Sequence, residues 1–124
     1  MRSPFLDQLQ RRVIVLDGAM GTQVHAAELD LERDYLGLEN CTEVITLTRP
    51  DVLFGIHAGY LKAGADAVET NTFGGMTHVL QEFGLEKRTR EINRRAAEIA
   101  REACLEHDTP DKPRFVLGLS LIHI

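Results

Sequence analysis

Three short runs, "VIVL" at 13–16, "DAVE" at 66–69 and "RFVLG" at 114–118, each end in small or polar residues, with helical spacing between them. The first is β-branched and does not alternate apolar with polar residues, as a strand with one wet face does, so it fits a strand buried on both faces in a parallel sheet, and the other two read as short strands. Parallel neighbours need a crossover of a dozen or more residues, normally a helix. Both gaps are long enough to hold one. The order strand, helix, strand, helix, strand is an α/β pattern with right-handed crossovers. A doubly wound sheet and a (β/α)8 barrel share this local order, and three strands do not separate them. A complete barrel takes about 250 residues. A chain of 124 residues would hold under half of one.

The connecting segments carry their own signals. Ser3 and Pro4 open a short helix with Phe5, Leu6 and Leu9 on one side, serine as N-cap and proline in the first turn. Residues 22–46 have weak periodicity and read as a long excursion with one helical turn. "TRPD" from Thr48 has the spacing of a capping box, followed by Val52, Leu53, Ile56, Tyr60 and Leu61 on one helical face and a stop at Gly64. A further helical region starts near Met76, is punctuated at Gly84 and resumes to His107. Its apolar residues Leu85, Ile92, Ala96, Ile99 and Ala103 recur at helical spacing.

Charge narrows the partners. The net charge is -5 with both signs interspersed and no basic block, which argues against nucleic acid and membrane surfaces and for a dissolved small molecule. The first twelve residues lack the apolar stretch of a secretory signal, and no segment approaches the ~20 apolar residues of a membrane span, so a cytoplasmic location is expected. Cys41 and Cys104 are isolated, without metal-ligand spacing, and read as packed thiols. His25, His57, His78 and His107 form no triad and read as surface or satisfied residues.

In both candidate folds the site forms at the carboxyl ends of the parallel strands. Asp17, Gly18 and Ala19 follow the first run; Glu69 ends the second, and Thr70, Asn71 and Thr72 follow. A carboxylate there can hold an ammonium group, and glycine lets backbone N–H groups approach a ligand carboxylate. Together these devices describe an amino-acid site. The competing reading is that Asp17 caps a turn and the glycines serve the turn alone. "GAMGT" lacks the lysine of a P-loop and the order of a dinucleotide fingerprint. Ala19 stands where an aspartyl-phosphate phosphatase needs its second acid.

"VLDGAMGTQ", "LTRPDVLFGIHAGYLKAGADAVETNTFGG" and "EINRRAAEIAREA" together resemble the homocysteine-binding domain of the homocysteine S-methyltransferase family, in its cobalamin-dependent branch, over about residues 8–118. The resemblance implies a (β/α)8 TIM barrel, of which residues 1–118 would be the N-terminal part, about three β/α units. It implies that Asp17 receives the homocysteine amino group, that the Gly18 and Ala19 amides lie near its carboxylate, and that Asn71 and Thr72 stand at the mouth of the second strand. In the family, zinc held by three cysteines on later strands keeps the homocysteine sulfur as a thiolate, which attacks an electrophilic methyl group. Neither cysteine here matches that motif, so no metal ligand and no catalytic residue is assigned in this chain. The implied donor is methylcobalamin, with 5-methyltetrahydrofolate as its ultimate source and cobalamin- and folate-binding domains as partners in a parent chain. The alternatives are an S-methylmethionine- or betaine-type donor, or a non-catalytic amino-acid-binding module.

After Gly118 the sequence reads "LSLIHI", where the family pattern leads one to expect a small-residue turn. Residues 119–124 match the translation of a sequencing-library adapter and are expected to be foreign to the domain, the alternative being a genuine short terminal strand, since the hexapeptide is apolar and β-branched enough to pair. A sheet ending there would leave an open edge, so the isolated chain is expected to be inactive and aggregation-prone or molten.

Overall fold

A computed structural model describes residues 3–121. Helix α1 (Pro4–Leu9) begins where the Ser-Pro signal places it, with Ser3 in extended backbone geometry at the N-cap, although its side chain makes no capping hydrogen bond. Residues 13–17 then run parallel to β1 (Ala67–Glu69), which pairs in parallel with β2 (Phe115–Leu117) in the register Ala67↔Phe115, Val68↔Val116, Glu69↔Leu117. Helix α4 (Pro50–Ala63) makes the first crossover and α6 (Thr89–His107) the second, so the expected strand–helix alternation is present.

The first run departs from expectation in one respect. It was expected to be buried on both faces, yet Val13, Val15 and Leu16 are 83%, 55% and 45% exposed. Among the described residues it pairs on one side only, through a single bridge, Leu16↔Ala67. With a neighbour on one side only, its side chains stay open to solvent; along that side the Val15 N–H donates to the Asp66 carboxylate (Oδ2, 2.9 Å) instead of to a backbone carbonyl, which interrupts the ladder.

Residues 22–46 are also more ordered than their periodicity indicates. They include most of α2 (Gly21–Ala26), a 3₁₀ turn at Thr42–Val44 and the start of α3 (Ile45–Thr48). Between them, buried Asp34 accepts the Asp30 N–H (2.9 Å) and pairs with Arg33 (3.1 Å) and Arg49 (3.6 Å). Hydrogen bonds from Arg33, more than any other contact, hold its carboxyl down at about 2. Thr48 does not cap α4. It ends α3, and its hydroxyl donates to the Asp34 carbonyl, with the Val44 carbonyl farther off at 3.3 Å. The residue before a proline is driven out of the helical region. Arg49, at φ -137°, therefore becomes the N-cap, with its guanidinium on Asp51 (2.9 Å).

Helices α4 and α6 pack on one another and on the strands. The fully buried stripe of α4 is Leu53, His57 and Leu61, four residues apart, while Val52, Ile56 and Tyr60 are half-buried. On α6 the predicted Ile92, Ala96, Ile99 and Ala103 are buried, with Ala100 and Cys104 beside them. Helix α4 ends at Gly64, whose φ of +113° a residue with a Cβ adopts only under strain. Arg114, at the entrance to β2, donates from Nη1 to the Leu61 and Ala65 carbonyls, both at 2.7 Å, and so caps that terminus.

Short α5 (Thr77–Leu80) and two 3₁₀ turns precede α6. Among the described residues no helix is long and apolar enough to cross a membrane. Of the expected foreign tail, residues 122–124 lie outside the described residues. Leu119 is tied by its backbone to Thr70 Oγ1 (3.1 Å) and Thr72 Oγ1 (2.6 Å), and the Leu121 N–H donates to the Phe73 carbonyl (3.1 Å).

Asp66 is 2% exposed and takes Arg12 on its other oxygen (3.0 Å). Burial works to raise its carboxyl, but the Val15 N–H and the Arg12 guanidinium outweigh it and hold the group below its ordinary 3.8. The folded state therefore binds fewer protons than the unfolded state as pH falls. The contribution of Asp66 is complete above about pH 4 and is lost as pH falls through the lower folded value. Asp66→Ala should lower unfolding free energy by about 1–3 kcal/mol at pH 7, because it strands a buried N–H and a guanidinium. The variant should also lose less stability on acidification, as followed by chemical denaturation at pH 7 and at about pH 2.

Candidate functional site

The parallel strands end together, and a cleft of about 330 Å³ opens there. Asp17, Gly18 and Ala19 line one side, and Glu69, Thr70 and Asn71 line the other. The strand-end residues thus converge, with the exception of Thr72. The Thr72 hydroxyl is turned away to Thr70 Oγ1 (2.6 Å) and the Leu119 carbonyl (2.6 Å), so it braces the wall from behind. A larger groove of about 720 Å³ runs along α6, and none of the strand-end residues lines it. Its Arg88, Arg94 and Arg95 are already ion-paired with Glu91 and Glu98.

Asp17 has two environments. One oxygen, Oδ2, accepts the Glu69 N–H at 3.1 Å, which locks the first strand end to β1. Among the described residues no lysine, arginine or histidine forms an ion pair with it. Burial raises its carboxyl, the Glu69 amide opposes the rise, and the nearby Glu69 carboxylate adds to it. An acid in this condition gains from a cation that enters the cleft. Asp17 does cap backbone, as the competing reading holds, but the backbone it caps is that of the neighbouring strand.

Gly18 is small for a reason internal to the protein. A Cβ there would lie 3.2 Å from the Tyr60 ring and hydroxyl, and that hydroxyl donates to the Ala19 carbonyl at 2.6 Å. Tyr60 of α4 therefore presses against the turn from outside the cleft and fixes the direction of its backbone. Asn71, 5% exposed, donates from Nδ2 to the Thr42 carbonyl (2.9 Å) and to Thr46 Oγ1 (3.3 Å). Its amide ties the loop after β1 to the 3₁₀ turn and α3.

The cleft also takes in residues that strand-end reasoning does not reach. Thr42 arrives from the weakly periodic segment, and no spacing rule signals it. Phe73 stands at the rim, 55% exposed, inside the same "ETNTF" stretch. An aromatic in the loop after a strand is the signal that could have found it. His57 is neither at the surface nor satisfied: it is 1% exposed with Nδ1 unpartnered, and burial pushes the imidazole down to about 4.

A three-cysteine zinc site does not fit the residues present. Cys41 and Cys104 lie in separate apolar clusters, the first with its thiol toward Glu43 Oε2 (4.0 Å), the second toward the Phe115 carbonyl (3.6 Å). Burial raises both thiols, Cys104 to about 11, so neither favours the thiolate a metal binds. No group of three His, Cys, Asp or Glu side chains suited to a metal ion occurs among the described residues.

Parallel strands joined by helices, with a polar cleft at their carboxyl ends, define a β/α protein. Residues 14–120 match the family model described as homocysteine S-methyltransferase, and the chain belongs to that family. It is 50% identical over 113 residues to the methionine synthases of Mycobacterium tuberculosis (strain ATCC 25618 / H37Rv) and Mycobacterium leprae (strain TN). Those matches cover 91% of this chain and 9% of each relative, so the chain spans about a tenth of the length of the curated relatives it matches. Two crystal structures of the homocysteine methyltransferase MmuM from Escherichia coli share the fold. The oxidized form has a TM-score of 0.76 at 21% identity, covering 96% of this chain and 41% of that one. The metallated form has a TM-score of 0.73 at 22% identity, covering 94% and 40%.

Tyr60→Phe should cost about 1 kcal/mol of stability through the lost bond to Ala19, measured by thermal unfolding. Leu105→Ala, on an exposed part of α6, should stay within about 0.5 kcal/mol of the parent in the same assay.

Proposed function

We propose that residues 1–118 are the N-terminal part, about three β/α units, of a (β/α)8 barrel that binds homocysteine in a methionine-forming S-methyltransferase. The observation that carries this reading is Asp17: a partly buried carboxylate in a strand-end cleft, with one oxygen on the Glu69 amide and no cation of the described residues paired with it. A ligand ammonium relieves its desolvation and the repulsion from Glu69 together. The Gly18 and Ala19 backbone, held from behind by Tyr60, receives the ligand carboxylate. Asn71 and Thr72 act by holding the opposite wall in place.

The 50% identity to methionine synthases supports methylcobalamin as the donor, with 5-methyltetrahydrofolate behind it, over S-methylmethionine or betaine. Cobalamin- and folate-binding domains of a parent chain would then be the partners. Zinc would have its ligands outside these residues. By itself this segment is inactive, and two unpaired buried thiols suit a cytoplasmic protein. We read residues 119–124 as adapter-derived. The Leu119 bonds to Thr70 and Thr72 run through its backbone, which any residue at that position supplies. Reading the source DNA across codon 118 tests this: a frame that continues into other residues supports it, and one that continues as "LSLIHI" and stops overturns it.

Asp17→Asn in the full-length protein should weaken homocysteine binding by about 30-fold, the equivalent of about 2 kcal/mol for losing one partner of a buried charge pair. Isothermal titration of both proteins checks it, and equal affinity overturns the assignment.

A further inference from the structure

Glu43 is a carboxylate that the site as described does not use. It lies in the 3₁₀ turn beside Thr42 and is 6% exposed. Its Oε1 accepts the Gly74 N–H at 2.8 Å, and the Cys41 thiol approaches Oε2 at 4.0 Å. Among the described residues no cation is paired with it. Burial of a carboxylate on one backbone donor and one weak thiol is a costly way to fill space, and an apolar side chain of similar volume would serve stability as well or better. The interaction makes sense through what it holds.

Thr42 and Glu43 grip the two ends of one loop. The Thr42 carbonyl takes Asn71 Nδ2 at 2.9 Å, and the Glu43 carboxylate takes Gly74. Between them stands Phe73, exposed at the rim of the cleft. On the far side Asn93 Nδ2 donates to the Gly75 carbonyl at 2.6 Å, which pins the loop to α6. Contact at Gly74 is close: a Cβ would fall 2.9 Å from Glu43 Oε1 and 3.2 Å from Val79 Cγ1, so a side chain there would displace the Glu43 carboxylate. The loop is held in one conformation by groups that come from distant parts of the chain.

We propose that Glu43 is a positioning residue for the cleft: through the Gly74 N–H its carboxylate fixes the loop carrying Asn71 and Phe73, so that the bound amino acid meets a preformed wall. Preorganisation of this kind gives affinity by removing the cost of ordering the loop on binding. Glu43 acts without touching the ligand. The inference rests on the homocysteine reading above.

The test is homocysteine affinity, by isothermal titration, of the full-length protein and its Glu43→Ala and Glu43→Gln variants, with Asp17→Asn alongside. Glu43→Ala should raise Kd about tenfold, while Glu43→Gln, which keeps an acceptor for Gly74, should stay within about twofold of the parent. Glu43→Ala affinity equal to the parent, or Glu43→Gln as weak as Glu43→Ala, overturns the proposal and leaves the Asp17 assignment standing. A folded parent that does not bind homocysteine overturns both. If Glu43→Ala does not fold, Phe73→Ala decides the matter, since Phe73 is exposed. A loss of about fivefold with an unchanged melting temperature supports the wall, and unchanged affinity overturns it.

Discussion

Asp66 joins the three strands at one level of the sheet. Its N–H donates to the Val15 carbonyl (2.8 Å), its side chain accepts the Val15 N–H (2.9 Å), and its carbonyl accepts the Phe115 N–H (2.9 Å). A parallel register is hard to specify by side-chain pattern alone when every neighbour is apolar, because apolar contacts are non-directional. Here a polar residue sets it. Once Val15 is locked opposite Asp66, Asp17 falls beside Ala67 and Glu69, and the two walls of the cleft stand at the same height. The chemistry at the carboxyl ends of the strands therefore depends on a hydrogen-bonding centre at their amino ends, which the ligand never meets.

Much of this architecture is legible in the sequence, and the illegible parts have a common cause. The runs that gave β1 and β2, the α6 stripe of Ile92, Ala96, Ile99 and Ala103, and the stop at Gly64 are all local patterns, and all are present. The misreadings occur where a side chain bonds to backbone far along the chain. "TRPD" has capping-box spacing, but the Thr48 hydroxyl is already occupied by the Asp34 carbonyl, fourteen residues earlier. The first run is apolar enough for a buried strand, but the Asp66 side chain takes an N–H that a ladder would use. Glu43 lies in a stretch without periodicity, and its partner Gly74 is thirty-one residues on. Spacing rules see neighbours within a turn or a rung, and these bonds span neither.

The candidate site shows the same division. The polar residues after each strand were visible because strand ends are where parallel folds bind ligands. The reasons for their sizes were not. Gly18 reads as an opening for a ligand, yet the atoms that crowd it belong to Tyr60. At Gly74 a Cβ would fall 2.9 Å from Glu43 Oε1 and push the carboxylate off its amide. Both glycines record internal contacts on the outer side of the cleft wall, and the wall is shaped as much from behind as from within.

Arg114 extends this logic beyond the cleft. One guanidinium nitrogen spans from the entrance of β2 to the last carbonyls of α4, some fifty residues earlier in the chain. The helix terminus is thus completed only when the following strand has docked, and the strand gains a charged anchor only when the helix has ended at Gly64. Two elements coupled in this way open and close together. Their amides should therefore share one opening free energy in hydrogen exchange, with β2, although three residues long, protected to the level of the fourteen-residue helix.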